Sequence, residues 1–173
     1  MAKLKGRAAV AMAALGMTAL GTVAFAQDAV VTDPEGIPPE ETIAARRALM
    51  MGIDALMYEI EAAVPADLDE LELYTLQQHY LAIGGMLLAF PNLFPADTNL
   101  PEPAVAEGGH ATVALPFVWE SFQAFHNLAH QAADVALGAS MAASAADLAT
   151  TAADLRAVCD ACHSQFMEYR APF

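Results

Sequence analysis

The chain has 173 residues, of which 57% are hydrophobic and 16% charged, and 21 acidic against 7 basic side chains give a formal net charge of −14. A field of that sign disfavours nucleic acid and anionic membrane surfaces as partners and favours basic protein surfaces or cations. Only two cysteines are present, three positions apart; a bridge between them would close a tiny loop and stabilise little, which excludes a disulfide-stapled scaffold.

The N-terminal stretch "MAKLKGRAAVAMAALGMTALGTVAFAQDAVV" sets Lys3, Lys5 and Arg7 before an apolar run from Ala8 to about Leu20, then Ala24-Phe25-Ala26. This is the layout of a secretory signal peptide cleaved after Ala26, and its apolar core is too short for a membrane anchor. Cleavage takes 26 residues from 173 and leaves 147. They hold four arginines, no lysine and all 21 carboxylates, a formal charge of −17. That length makes one domain with a sizeable core, in an exported, periplasmic setting without membrane insertion of the mature chain.

Residues 27–38, "QDAVVTDPEGIP", read as a flexible lead-in; the remaining 39–173 form the folded domain. From about Glu40, Ile43, Arg46, Met50, Ile53, Met57, Ile60 and Val64 recur in steps of three and four and end at Pro65. A second helix opens at Asp67 with Glu70 three residues on, a capping-box arrangement. Its stripe is Leu73, Leu76, Tyr80, Ile83, Leu87 and Phe90, and Pro91 stops it. An irregular stretch, "PNLFPADTNLPEPAVAEGGHAT", follows. A third helix starts near Pro116, runs through Trp119, Phe122, Phe125, Ala129 and Ala132, and ends at about Ala142. Ser144 with Asp147 caps a fourth, whose stripe is Leu148, Ala152, Leu155, Cys159, Cys162 and Phe166. No segment reads as a strand. The predicted fold is all-α, an antiparallel four-helix bundle with a long loop between helices two and three.

The last helix contains "AVCDACHSQF". Positions i, i+3 and i+4 share a helix face, so Cys159, Cys162 and His163 project together toward the bundle interior. C-x-x-C-H is the motif of covalent c-type haem attachment, two thioether bonds with an axial imidazole beside them. A thioredoxin-like dithiol would open a helix in an α/β pattern, whereas this pair lies about four turns inside a helix. A zinc-stapled structural bundle is the other competitor, with His126 and His130 completing a Cys₂His₂ set. It leaves His163 unexplained, and both histidines lie one step off the inward stripe, as solvated flank residues. No nucleophile–base pair or carboxylate dyad stands out, so no enzyme is expected.

With the leader and the bundle, the motif resembles the cytochrome c prime family, the class II c-type cytochromes. The likeness covers about residues 40–170: "RRALM" in the first helix gives Arg46 and Met50, "LPFVWESFQAF" sets a proline before a tryptophan in the third, and the C-x-x-C-H continues to Phe166. It departs four residues after the histidine, where the family has Arg or Lys beside the proximal haem face and this chain has Met167; the nearest basic residues are Arg156 and Arg170.

The resemblance implies one covalent haem c on Cys159 and Cys162, with His163 as proximal iron ligand. It also implies Arg46 beside a haem propionate, against a plain reading as a surface arginine near Glu40 or Glu41. It places the haem plane at Met50, a possible distal ligand. Met51 lies about 100° off the stripe and Met57 about 10 Å further along the axis. The expected function is single-electron transfer with a basic redox protein. A five-coordinate protein binding nitric oxide or another diatomic gas is the alternative. The family likeness further implies a homodimer through the first two helices.

Overall fold

The computed structural model describes residues 37–64, 67–100 and 112–168; the predicted leader, nearly all of the lead-in, and Arg170 lie outside the described residues. Helix α1 (Pro39–Ala63) begins with a proline in its first turn, where no intrahelical N–H is needed, and with Glu40 and Glu41 beside the positive end of the helix dipole. Helix α2 (Glu70–Ala89) begins two residues later than the sequence pattern suggests. "DLDELE" contains two overlapping D-x-x-E boxes, and the chain uses the second: the Glu72 N–H donates to Asp69 Oδ1 at 2.8 Å and the Asp69 N–H donates to Glu72 Oε2 at 2.9 Å. The reason is hydrophobic. With Asp69 as cap, Leu68 and Leu73 bracket the first turn and both pack on the core, a hydrophobic staple. The earlier box would have paired Ala66 with Leu71, which is exposed.

α2 gives way at Phe90 to a tight 3₁₀ turn, Phe90–Leu93, because Pro91 has no N–H for the α ladder. The expected third helix is broken. Ser121 leaves helical geometry (φ −125°, ψ 41°), separating a single turn, α3 (Phe117–Glu120), from α4 (Phe122–Ala139). The break turns Val118 inward and lets the Trp119 Nε1–H donate to the carbonyls of Phe94 and Pro95, both at 3.2 Å. A continuous stripe would instead have buried Phe122, which is partly exposed. α4 also stops three residues short of the expected Ala142.

Helix α5 (Ala145–Phe166) is capped as predicted: Ser144 Oγ accepts from the Asp147 N–H at 3.2 Å and donates to the Asp147 carboxylate at 2.7 Å. It ends where the chain pairs backward, with the Leu115 N–H on the Phe166 carbonyl (2.9 Å) and the Glu168 N–H on the Val113 carbonyl (2.7 Å). Among the described residues there is no strand beyond the isolated Ala114–Met167 bridge.

The four long helices form an antiparallel bundle with two apolar centres. The larger joins Ile53, Met57 and Ile60 of α1, Leu76, Tyr80, Ile83 and Leu87 of α2, the alanines of α4, and Leu148, Ala152 and Leu155 of α5. Small residues let α2 and α4 approach closely: a Cβ on Gly84 would stand 2.6 Å from the Leu137 side chain. Tyr80, fully buried, satisfies its hydroxyl by donating to the Leu148 carbonyl at 2.9 Å. The smaller centre is aromatic, with Phe90, Phe94, Phe125 and Phe166 in edge-to-face or tilted contact around Val118.

Candidate functional site

Between the two apolar centres lies a cavity of about 360 Å³. Its α5 wall carries Cys159, Cys162 and His163, spaced so that helical geometry aims all three at one side. Both cysteines are half-buried free thiols. Burial pushes the Cys162 thiol up to about 11, with the neighbouring Cys159 adding to it. Burial raises Cys159 as well, against the opposing charge of Arg156. His163 is exposed although it lines the cavity; desolvation by partial burial lowers its pKa, partly countered by Asp160.

The α1 wall carries Arg46, Met50 and Met57. Met50 is half-buried and packs against both apolar centres, whereas Met57 is buried in the larger one. Met51, off the stripe as expected, has 73% of its surface exposed even at the cavity rim. Met167, which stands where the family resembled has Arg or Lys, also lines the cavity. Arg156 lines it too, held by Glu61 at 2.8 Å and reaching Asp54 at 4.0 Å.

Arg46 corrects the plain reading of the sequence: it is no surface arginine near Glu40 or Glu41 but 4% exposed. Nη1 donates to Thr98 Oγ1 at 3.1 Å, and Nη2 donates to the Thr98 carbonyl at 3.3 Å and to Thr112 Oγ1 at 3.2 Å. Its guanidinium also sits 4.3 Å from the centre of the Phe94 ring. Burial, and the like charge of Arg47, push its pKa down to about 10, so it remains a cation at neutral pH. Thr98, Thr112 and Phe94 were invisible to periodicity because they come from the irregular segment between α2 and α3. Only the buried position of Arg46 on the α1 stripe hinted that something polar must meet it.

The zinc alternative does not assemble. Among the described residues no three of His, Cys, Asp and Glu gather as a metal cluster. His126 and His130 are not solvated flank residues either; they are half-buried and stacked on each other, outside the cavity.

The donor set fits a covalently held haem c. A flat apolar macrocycle needs an apolar chamber, two free thiols one helical turn apart and an imidazole beside them, and one wall of this cavity offers those thiols and that imidazole. The cation of Arg46 sits at the same cavity, with no carboxylate paired to it among the described residues.

A family model described as Cytochrome C' matches residues 41–167. No curated protein sequence matches the chain. Among solved structures, cytochrome c' from Rhodopseudomonas palustris is similar at 26% identity and a TM-score of 0.62, covering 75% of this chain and 98% of its own. Cytochrome c' from Thermochromatium tepidum is 22% identical at a TM-score of 0.63, over 76% of this chain and 98% of its own. A third structure, of a cytochrome c' with an unusual ligand-controlled dimer dissociation, is 20% identical at a TM-score of 0.65, over 78% and 99%.

Proposed function

The chain belongs to the cytochrome c' family, haem-binding proteins of electron-carrier type, and from that premise we propose that it carries single electrons in the periplasm on one covalently bound haem c. The observation that carries the reading is the apolar cavity with Cys159, Cys162 and His163 on a single wall. Bound haem supplies an iron that changes oxidation state by one electron. Cys159 and Cys162 would hold the group through thioether bonds, and His163 would ligate its iron. Met50, from the α1 wall, would offer the iron a thioether, a ligand that raises the reduction potential and favours a low-spin carrier. Burial of the group against the apolar part of the lining would add to the same shift. Arg46, its fork fixed by Thr98 and Thr112, offers charge-assisted hydrogen bonding to a haem propionate.

Visible spectra of the oxidised and reduced protein test this. A six-coordinate low-spin spectrum that is lost in Met50→Ala supports the electron-carrier reading. A high-spin oxidised spectrum with unhindered nitric oxide binding in the unaltered protein supports the gas-binding one instead.

The acidic surface suits a basic redox protein as partner. Among the described residues no helix is long and apolar enough to cross a membrane. A homodimer through α1 and α2 is supported by exposed apolar side chains in heptad steps: Met51 and Tyr58 on α1, and Tyr74, Leu81 and Leu88 on α2, with Leu71 adjoining. Sedimentation of the protein, with Leu81→Glu as the variant expected to be monomeric, checks it.

A further inference from the structure

One pair of side chains on α4 takes no part in the haem cavity. His126 and His130 are one turn apart on a ridge that runs from Phe122 to Asp134 in steps of four. Their rings are stacked, with centroids 4.0 Å apart and planes 21° from parallel. Phe122, 6.3 Å from His126 between centroids, covers the N-terminal side of the pair. The exposed Asp134 lies one turn beyond His130. Both imidazoles are half-buried, and the Nδ1 of His126 is buried without a hydrogen-bond partner. No ion pair involves either ring among the described residues.

We propose that His126 and His130 chelate a divalent transition-metal ion at a site separate from the haem, with Cu(II) the most tightly held. Two imidazoles bound to one such ion at 2.0–2.1 Å have their ligating nitrogens about 3.0–3.4 Å apart with both in-plane lone pairs aimed at the ion, so rings stacked 4.0 Å apart and 21° from parallel must turn to converge on it. A turn of each ring about χ2, a soft torsion, supplies that convergence. No hydrogen bond at His126 Nδ1 opposes that turn. The donor set selects the ion: nitrogen ligands favour Cu(II), Ni(II) and Zn(II) over the oxygen-seeking Ca²⁺ and Mg²⁺, and Cu(II) leads that series. Two protein ligands leave the remaining coordination positions to water, so the site is labile and exchanges its ion with solution. The acidic surface, Asp134 in particular, raises the local cation concentration.

The test is a titration of the oxidised holoprotein with Cu(II) in the presence of a weak competing chelator, followed by calorimetry and by electron paramagnetic resonance. The expected result is one equivalent of copper with coupling to two imidazole nitrogens. Affinity should fall about tenfold or more in each of His126→Gln and His130→Gln, and be unchanged in His79→Gln. Absence of the two-nitrogen signal in the unaltered protein overturns the proposal without recourse to any variant. Copper binding that survives both replacements also overturns it, and assigns the ion to the surface carboxylates. The haem spectrum, unchanged in both variants, reports that each is folded.

Discussion

Replacing Arg46 by methionine removes a buried cation and its anchorage while leaving a side chain that fills part of the same volume. Three hydrogen bonds from a charged donor are lost. Each contributes about 1.5 kcal/mol, the low end of the charged range, because Thr98 Oγ1 still donates to the Pro95 carbonyl and Thr112 Oγ1 still accepts from the Ala114 N–H. The stacking on Phe94 adds about 1 kcal/mol. Opposing this, the apolar replacement no longer suffers the desolvation and the repulsion from Arg47 that together drop Arg46 from 12.5 to about 10, a relief on the order of 3 kcal/mol at 1.36 kcal/mol per pKa unit. The balance is a destabilisation of about 2–3 kcal/mol, or roughly 5–10 °C in Tm for a chain of this size. Urea and thermal unfolding of the oxidised holoprotein measure it, with an unchanged m-value as the check on two-state behaviour. Arg46→Lys, which keeps the charge and loses the fork, should recover less than half of the loss. An Arg46→Met protein as stable as the original, or more so, would refute the reasoning and show that the cost of burying the cation outweighs the bonds it makes.

The two glycines of α2 should respond in opposite directions: Gly84→Ala drives a methyl into the Leu137 side chain and costs about 1–3 kcal/mol, whereas Gly85→Ala meets nothing within 4 Å and should gain about 0.5–1 kcal/mol; chemical denaturation of the pair reads both signs. Burial holds the Tyr80 phenol up to about 12, with Glu61 adding to the shift, so the folded state favours its neutral form. That stabilisation is complete below about pH 10 and is lost as pH rises through 12; Tyr80→Phe should flatten the alkaline limb of the stability profile. Electron exchange with a cationic partner should slow as salt is added, since exposed charges are screened over about 10 Å at 0.1 M; rates indifferent to ionic strength would exclude charge steering.

The bundle was legible because its signals are local. Three-four periodicity marked four inward stripes, Ser144 with Asp147 marked the start of α5, and Pro91 marked the end of α2 to within two residues. Misplacements arose where two local signals competed. Asp67 and Asp69 offer the same capping box, and only the packing of Leu68 and Leu73 decides between them. The break at Ser121 has no proline or glycine to announce it; it is set by tertiary demands on Val118 and Trp119. At the candidate site, helical spacing alone placed Cys159, Cys162 and His163 on one wall. The surroundings of Arg46 were out of reach, because its partners Thr98 and Thr112 lie 52 and 66 residues away in irregular chain. Pattern also missed the stacking of His126 on His130, since spacing shows that two rings are neighbours and not whether they touch.

The measurement that bears most directly on the whole account is the intact mass of the purified native protein under denaturing conditions, after extraction with acid acetone. The expected result is a chain beginning at Gln27 that carries the mass of a single haem and keeps its colour, and loss of that increment when Cys159 and Cys162 are both replaced by alanine. A colourless chain without added mass, its pigment left in the solvent, would contradict covalent attachment.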